Sequence, residues 1–446
     1  MGLLRPRYQV AGTLPSPGRR GITLGSMSHP GPPEGARLPR DGRSWPELAQ
    51  ALRDLRRDDL DWRRGRHAAF VWHADEAVEQ VARDAYALFM TENGLGMRVF
   101  PSLRRMEADV VAMVRHLLGG DAATSGHLTS GGTESIFLAT HAARQWARQW
   151  HPEITEPEIV AAWSAHPAVS KAAHYLGMKV LRVPVGAGFR ADVAAMAAAI
   201  TPRTVMLYGS APTYSLGVID PIADLADLAR ARGLWLHVDA CVGGILGPFV
   251  RALGHPVPEF GLALPGVTSV SADLHKSGYA AKGASVVLFR TAEHQAAGRY
   301  DFDDWPTGLY RVDTFTGTRP GGAIAAAWAV MNFLGESGYR RIAATVMEAK
   351  ARLVEGLARI GGGLHVWGTP ELWAVGFGSE DHDIFTIADR MTARGWSVGR
   401  IREPRGVHLM LTPVHAPIID EYLADLARSV NESQAVTGPS PTRAVY

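Results

Sequence analysis

The chain has 446 residues, 46% of them hydrophobic and 20% charged, enough for two or three domains with substantial cores. Its 46 basic and 44 acidic residues are interspersed, so a net charge of +2 points to no nucleic-acid partner, and no apolar run reaches the roughly 18 residues of a transmembrane span. The single cysteine, Cys241, excludes an intramolecular disulfide and a Cys-based zinc site, and fits a reducing cytoplasm, the expected location.

Residues 1–43 hold 15 Gly plus Pro, seven Arg and two acids, with no apolar periodicity, and are expected to be a disordered extension. They contain neither a signal-peptide core nor a myristoylation signal, and Met27 is a plausible alternative start. Apolar residues at three and four spacing predict helices over 45–60, 74–90 and 104–118, the last stopped by Gly119-Gly120. A glycine-rich loop, 92–101, lies between the second and third. Residues 128–135 then lead into a helix over 136–150. From there strands over 158–163, 179–185, 204–210 and 234–238 alternate with helices over 168–176, 193–200 and 222–232, and strands over 267–271 and 284–289 follow. Such alternation predicts an α/β fold with a mainly parallel sheet and ligands at the carboxyl ends of its strands. After a loop over 299–322 come helices over 323–333 and 339–360, strands over 364–367, 372–376 and 407–412, and helices over 384–394 and 418–430. The expected organisation is a helical segment (44–103), a large domain (104–316), a small C-terminal α+β domain (317–432) and a disordered tail (433–446).

Only five of the 46 positive residues are lysines, yet Lys276 and Lys282 share one glycine-containing loop between two apolar runs. Arginine cannot lose its proton in a protein, whereas lysine can act as an amine nucleophile and form a Schiff base. Alone, the pair reads equally well as two solvated loop lysines. Gly131, Gly132 and Thr133 open a helix whose first amides point at one spot, as in phosphate binding. Alone, they read as an ordinary helix cap, because no Walker ending or third fingerprint glycine is present. His166, Ser210, Asp239 and Lys276 each fall at or just after the end of a predicted strand. A histidine, an aspartate, a lysine and a phosphate nest form the set that pyridoxal 5'-phosphate needs. The lysine meets its aldehyde, the nest its phosphate, the acid keeps its ring nitrogen protonated, and flat His166 suits its ring face.

The stretches Thr129-Ser130-Gly131-Gly132-Thr133-Glu134-Ser135, Gly217-Val218-Ile219-Asp220-Pro221, His237-Val238-Asp239-Ala240-Cys241, Ser271-Ala272-Asp273-Leu274-His275-Lys276 and Gly317-Thr318-Arg319-Pro320-Gly321-Gly322 together resemble the sphingosine-1-phosphate lyase family, from about Phe100 to the end of the small domain. That family belongs to the fold-type I pyridoxal-phosphate enzymes related to group II decarboxylases. The resemblance implies that Lys276 is the Schiff-base lysine and Asp239 the partner of the ring nitrogen. It implies that His166 stacks on the ring, that Gly131, Gly132, Thr133 and His275 lie at the phosphate, and that Ser210 and Cys241 line the cofactor. It further implies a homodimer with Thr318 reaching the neighbouring subunit's cofactor, and Lys282 near the substrate. No metal is implied.

Before the Phe-Pro that matches Phe100-Pro101, the family usually has an Asn-Pro-Leu-His-like segment that helps hold the substrate phosphate. Here Asn93 and Leu95 remain, but Gly94 and Gly96 replace the Pro and His, and Phe70 or Val71 replaces an upstream tyrosine. Two donors to an anion are thereby lost, and Arg98 is a candidate replacement that suits a carboxylate equally. The expected activity is retro-aldol cleavage of a 2-amino-3-hydroxy substrate to an aldehyde and an amine such as phosphoethanolamine. The alternatives are a decarboxylase or aldolase on a non-phosphorylated amino acid, and a non-catalytic cofactor-binding regulator.

Overall fold

The computed structural model describes residues 37–433 and residue 444. The proposed start at Met27, most of the expected extension and nearly all of the expected tail lie outside them. Residues 37–43 carry no helix or strand. The unit up to Asp59 contains helix α1 (Trp45–Leu55), begun by a reciprocal capping box between Ser44 and Glu47 and ended by a 3-10 turn, Arg56–Asp58.

From Leu60 the chain forms a second unit. Helix α2 (Glu76–Leu88) starts where Asp75 accepts a hydrogen bond from Val78 N at 2.9 Å, and α3 (Pro101–Leu117) starts on a proline, whose missing N–H costs nothing there. Next come β1 (Ser125–Thr129), α4 (Gly132–Trp150), β2 (Glu158–Ala162), α5 (Ala168–Leu176), β3 (Lys179–Val183), α6 (Val193–Ala199), β4 (Thr204–Ser210), α7 (Ile222–Arg232), β5 (Trp235–Asp239), α8 (Gly247–Ala252), β6 (Ser269–Ala272) and β7 (Ser285–Phe289). These seven strands form one sheet in the order β1-β7-β6-β5-β4-β2-β3. Strand β7 runs against both neighbours and every other pair is parallel, in agreement with the mainly parallel expectation.

Strands β2, β4, β5, β6 and β7 are buried throughout, as strands covered on both faces must be. Alternate residues serve opposite faces. Met206 and Tyr208 pack with Ile136 of α4 and Val169 of α5, whereas Leu207 packs with Leu225 of α7. Because β1, β2, β4, β5 and β6 share one direction, their carboxyl ends, and the loop from β6 to β7, meet along one edge.

After α9 (Ala292–Ala297) the expected loop contains a hairpin, β8 (Tyr300–Phe302) and β9 (Tyr310–Val312). The two expected helices follow one another within the span α10 (Gly321–Ile360) and meet at a kink at Gly335, whose φ of 54° interrupts helical geometry without a steric penalty at glycine. A second, antiparallel sheet follows in the order β10 (Leu364–Val366), β11 (Ala374–Ser379), β13 (Gly406–Met410), β12 (Gly399–Ile401), with α11 (Ile384–Ala393) and α12 (Ile419–Ser433). Strand β12 and helices α8 and α9 are too short for a periodic signal, and β1 (Ser125–Thr129) holds a single apolar residue, Leu128. Gly126 in β1 is further masked by its role: a Cβ there would lie 2.3 Å from Val287 O of β7.

Gly217 joins the loop after β4 to the small sheet. Its φ is 71°, and a Cβ would stand 2.1 Å from the carbonyl oxygen of Ala374 in β11. Gly217→Ala should destabilise the protein by roughly 1–3 kcal/mol from the left-handed backbone alone, with the backbone clash in addition. Urea unfolding checks this; a midpoint equal to that of the parent would show that the loop relaxes freely.

Candidate active site

The sheet edge builds a cavity of about 330 Å³ lined by Gly131, Gly132, Thr133, His166, Ser210, Asp239, Cys241, His275 and Lys276, together with Asp273, Tyr214 and others. Nine of the expected site residues therefore meet in one place. The volume lies in the roughly 300–1,000 Å³ range of small-molecule sites. The cavity sits where the sheet's order reverses, β2 leading outward to β3 and β4 leading the other way, which is where open α/β sheets bind ligands.

One wall is the start of α4. A Cβ at Gly132 would lie 2.6 Å from Cys241 Sγ and within 2.9 Å of both Asp273 carboxylate oxygens, so only glycine lets the helix start close onto the floor. Glu134, in the first turn, accepts from Ser130 N at 2.7 Å and from Ser130 Oγ at 2.5 Å. His275 accepts from Ala284 N at 3.1 Å through Nδ1, which leaves Nε2 as its protonated nitrogen. Burial pushes the His275 pKa down to about 4, so the ring is neutral. Lys276 Nζ lies 2.9 Å from Asp273 Oδ2. Burial opposes the Lys276 charge, but the neighbouring negative groups, Asp273 first, outweigh it and raise the ammonium above the ordinary lysine range.

Asp239 closes β5. Its Oδ2 accepts the Tyr208 hydroxyl at 2.6 Å and its Oδ1 accepts Cys241 N at 3.1 Å. Burial favours the protonated acid, but His166, the two hydrogen bonds and Lys276 prevail and hold Asp239 below the usual carboxylate range, hence ionised. His166 Nδ1 accepts from Ala168 N at 3.2 Å, and burial lowers its pKa despite the nearby Asp239 charge.

Against known proteins, the pyridoxal-dependent decarboxylase conserved domain matches residues 61–377. The Oryza sativa subsp. japonica sphingosine-1-phosphate lyase is 40% identical over 401 residues, covering 88% of this chain and 74% of that one. The chain belongs to the sphingosine-1-phosphate lyase family. Sphingosine-1-phosphate lyase 1 of Rattus norvegicus is 38% identical, covering 89% and 70%. The solved Burkholderia pseudomallei sphingosine-1-phosphate lyase superposes with a TM-score of 0.86 at 36% identity, over 90% of this chain and 93% of that one. A probable L-tyrosine/L-aspartate decarboxylase of Methanothermobacter thermautotrophicus is 34% identical over 78% of this chain. The protein is thus a pyridoxal-phosphate-dependent lyase with the expected fold.

The residues present fit that cofactor on independent grounds. Buried Ser210 lines the cavity at the end of β4. A helix start that opens on two glycines, an ionised carboxylate and a lysine surround it. Four expected site residues do not line this cavity. Asn93 turns its Oδ1 back to Leu95 N and Gly96 N, at 3.1 and 3.0 Å. Arg98 and Thr318 are exposed. Lys282 donates to Phe70 O at 3.1 Å and to His275 O at 3.2 Å, one residue from Lys276. The residue is exposed, yet burial around its amine, with the Lys276 charge nearby, pushes its pKa down to about 8.

Three residues that sequence reasoning left aside support the site. Asp273 contacts Lys276, Tyr208 holds Asp239, and Glu134 also accepts from Phe315 N and Thr316 N, at 3.0 and 3.4 Å, tying the segment before Thr318 to the helix start. Tyr208 was legible by strand parity, two residues before Ser210 on the same face, and Asp273 by its one-turn spacing from Lys276.

Asp273→Asn should let burial dominate, lowering the Lys276 pKa by roughly 1–3 units, the effect of an adjacent opposite charge. In cofactor-free protein, the pH at which trinitrobenzenesulfonate half-labels the Lys276 peptide, read by mass spectrometry, should fall accordingly. An unmoved labelling profile would remove Asp273 as the controlling charge.

Proposed function

We propose that the chain cleaves the C2–C3 bond of a 2-amino-3-hydroxy substrate of the sphingoid-base phosphate kind, releasing an aldehyde and an amine such as phosphoethanolamine. The observation that carries this is the meeting of Lys276, Asp239 and His166 with the α4 start in one cavity, in a chain similar over most of its length to sphingosine-1-phosphate lyases. When bound, pyridoxal phosphate condenses with amines and takes up the electron pair of a broken bond.

Each residue has a share in holding it or in moving protons. The α4 amides at Gly132 and Thr133, with Gly131 and the Nε2–H of His275, hold the phosphate at the positive end of the helix. Lys276 would hold the cofactor through its amine and, once free, move protons at the substrate carbon. Ionised Asp239 holds a proton on the ring nitrogen. Flat His166, with Cys241 and Ser210, would line the cofactor ring. Lys282, its pKa pushed down to about 8, would bind the substrate's anionic group, aided by Arg98. Thr318 serves the cofactor of a second copy in a homodimer, which places the site at a subunit interface. No helix among the described residues is long and apolar enough to cross a membrane, in keeping with work in the cytoplasm.

A decarboxylase of non-phosphorylated amino acids is the second reading. It is favoured by Gly94 and Gly96 in the loop before Phe100 and by the side chain of Asn93, which is committed to its own turn. An arginine such as Arg98 then reads a carboxylate.

The purified protein should show an absorbance band from the cofactor bound to Lys276, absent in Lys276→Ala; without such a band a non-catalytic protein would be the better description. Incubation with a sphingoid-base phosphate should release a long-chain aldehyde and phosphoethanolamine. Carbon dioxide from amino acids, with no aldehyde from the phosphate, would favour the second reading and overturn the first.

A further inference from the structure

Behind the residues that line the cavity lies a row of buried polar groups on one face of the sheet. In the parallel register of β4 and β5, Tyr208 stands beside His237 and Ser210 beside Asp239; β6 adds Ser269 and Ser271 opposite His237 and Asp239. His237 contacts Ser269 Oγ at 2.9 Å and Ser271 Oγ at 3.2 Å, and Cys241 Sγ lies 3.3 Å from Ser271 Oγ. Burial pushes His237 down to about 4, so it is neutral and supplies no counter-charge. Besides the charge of nearby groups such as Lys276, the Asp239 carboxylate is held by hydrogen bonds from its surroundings.

Each of its oxygens receives one. Cys241 N reaches Oδ1, and the fully buried Tyr208 hydroxyl reaches Oδ2 at 2.6 Å, a short charge-assisted bond. Burial, then the Asp239 charge, raises the Tyr208 phenol well above its ordinary range, so the hydroxyl keeps its proton and is the donor. One donor per oxygen from the protein side fixes the carboxylate plane and leaves a lone pair for a group in the cavity.

We propose that Tyr208 is a positioning residue for the cofactor: its buried hydroxyl fixes the plane of the Asp239 carboxylate and keeps the proton that Asp239 shares with the cofactor ring on the ring nitrogen. This rests on the assignment of Asp239 to that nitrogen. Without the hydroxyl the carboxylate turns freely, loses one of two donors in a dry site and becomes a stronger base. The shared proton then moves towards Asp239, and the ring becomes a poorer acceptor of the electron pair of the broken bond. The phenol touches no reacting atom and transfers no proton itself.

The test is Tyr208→Phe, which keeps the ring and its packing, with cofactor-free protein titrated with pyridoxal phosphate labelled with nitrogen-15 in the ring. Affinity should fall roughly tenfold to a hundredfold, the worth of a hydrogen bond to a charged acceptor, and the nitrogen resonance should move from the protonated towards the neutral position. On substrate, kcat should fall while KM changes little. Should the phenylalanine variant fail to fold, 3-fluorotyrosine at position 208, a stronger donor, should shift the nitrogen resonance the opposite way. Parent-like affinity and an unmoved resonance in Tyr208→Phe would overturn the proposal, as would an unmoved resonance with fluorotyrosine. Asp239→Asn separates the two levels: if it too leaves the nitrogen resonance unmoved, the assignment of Asp239 itself fails, whereas a large effect there beside a silent Tyr208→Phe sinks only the role of Tyr208.

Discussion

An ionised carboxylate buried at the end of a central strand is the constraint around which this protein is arranged. Asp239 is 8% exposed, and a charge so placed is destabilising unless its oxygens are hydrogen-bonded and opposite charge is near. The surrounding structure meets both needs. Strand β4 brings the Tyr208 hydroxyl, the turn after β5 brings Cys241 N, and the loop after β6 brings Lys276. None of these is local in sequence to the others, so the charge is tolerated only when three parallel strands are in register. Assembly of the sheet and readiness of the site are therefore one event.

The second carboxylate, Asp273, answers a different need. It sits beneath Gly132 and beside Lys276, where a side chain on residue 132 would collide with it. A cationic lysine facing a helix start would otherwise add positive charge to a place already positive from unpaired amides. Asp273 balances that charge before any anion arrives. The two carboxylates divide the site between them, Asp239 beside Tyr208 and Asp273 beside Lys276.

Much of this was legible in the chain because local rules and the fold agree. Helices α5 and α7 and strand β4 have the bounds that periodicity predicts, since β4 is a run of buried residues ended by a turn and both helices end on a glycine in the left-handed region. His166, Ser210, Asp239 and Lys276 were legible as strand-end residues, and the cavity gathers all four. What stayed hidden depends on distance along the chain. Glu107 and Arg319, 212 residues apart, pair through both guanidinium nitrogens at 2.6 and 2.9 Å, and no local pattern marks either. Strand β1 is five residues with a glycine inside it, visible only once β7 lies beside it. Tyr208 shares a strand face with Ser210, but its bond to Asp239 shows only once β5 lies beside β4.

The Glu107 pair also explains why the segment around Thr318 has a defined place despite lying in an exposed loop. Arg319 donates to Leu128 O as well as to Glu107, and Glu107 in turn accepts Leu128 N at 2.8 Å, so α3, β1 and residue 319 are locked together. One turn away, Glu134 accepts from Ser130 on one side and from Phe315 N and Thr316 N on the other. Residues 315–319 are thus clamped at both ends by carboxylates that also organise β1 and the start of α4. A fixed backbone there needs no packing over Thr318 itself, whose exposed side chain is left free to face outward from its own chain. The start of α4 and the exposed threonine are set by the same two buried acids, so neither can shift without the other.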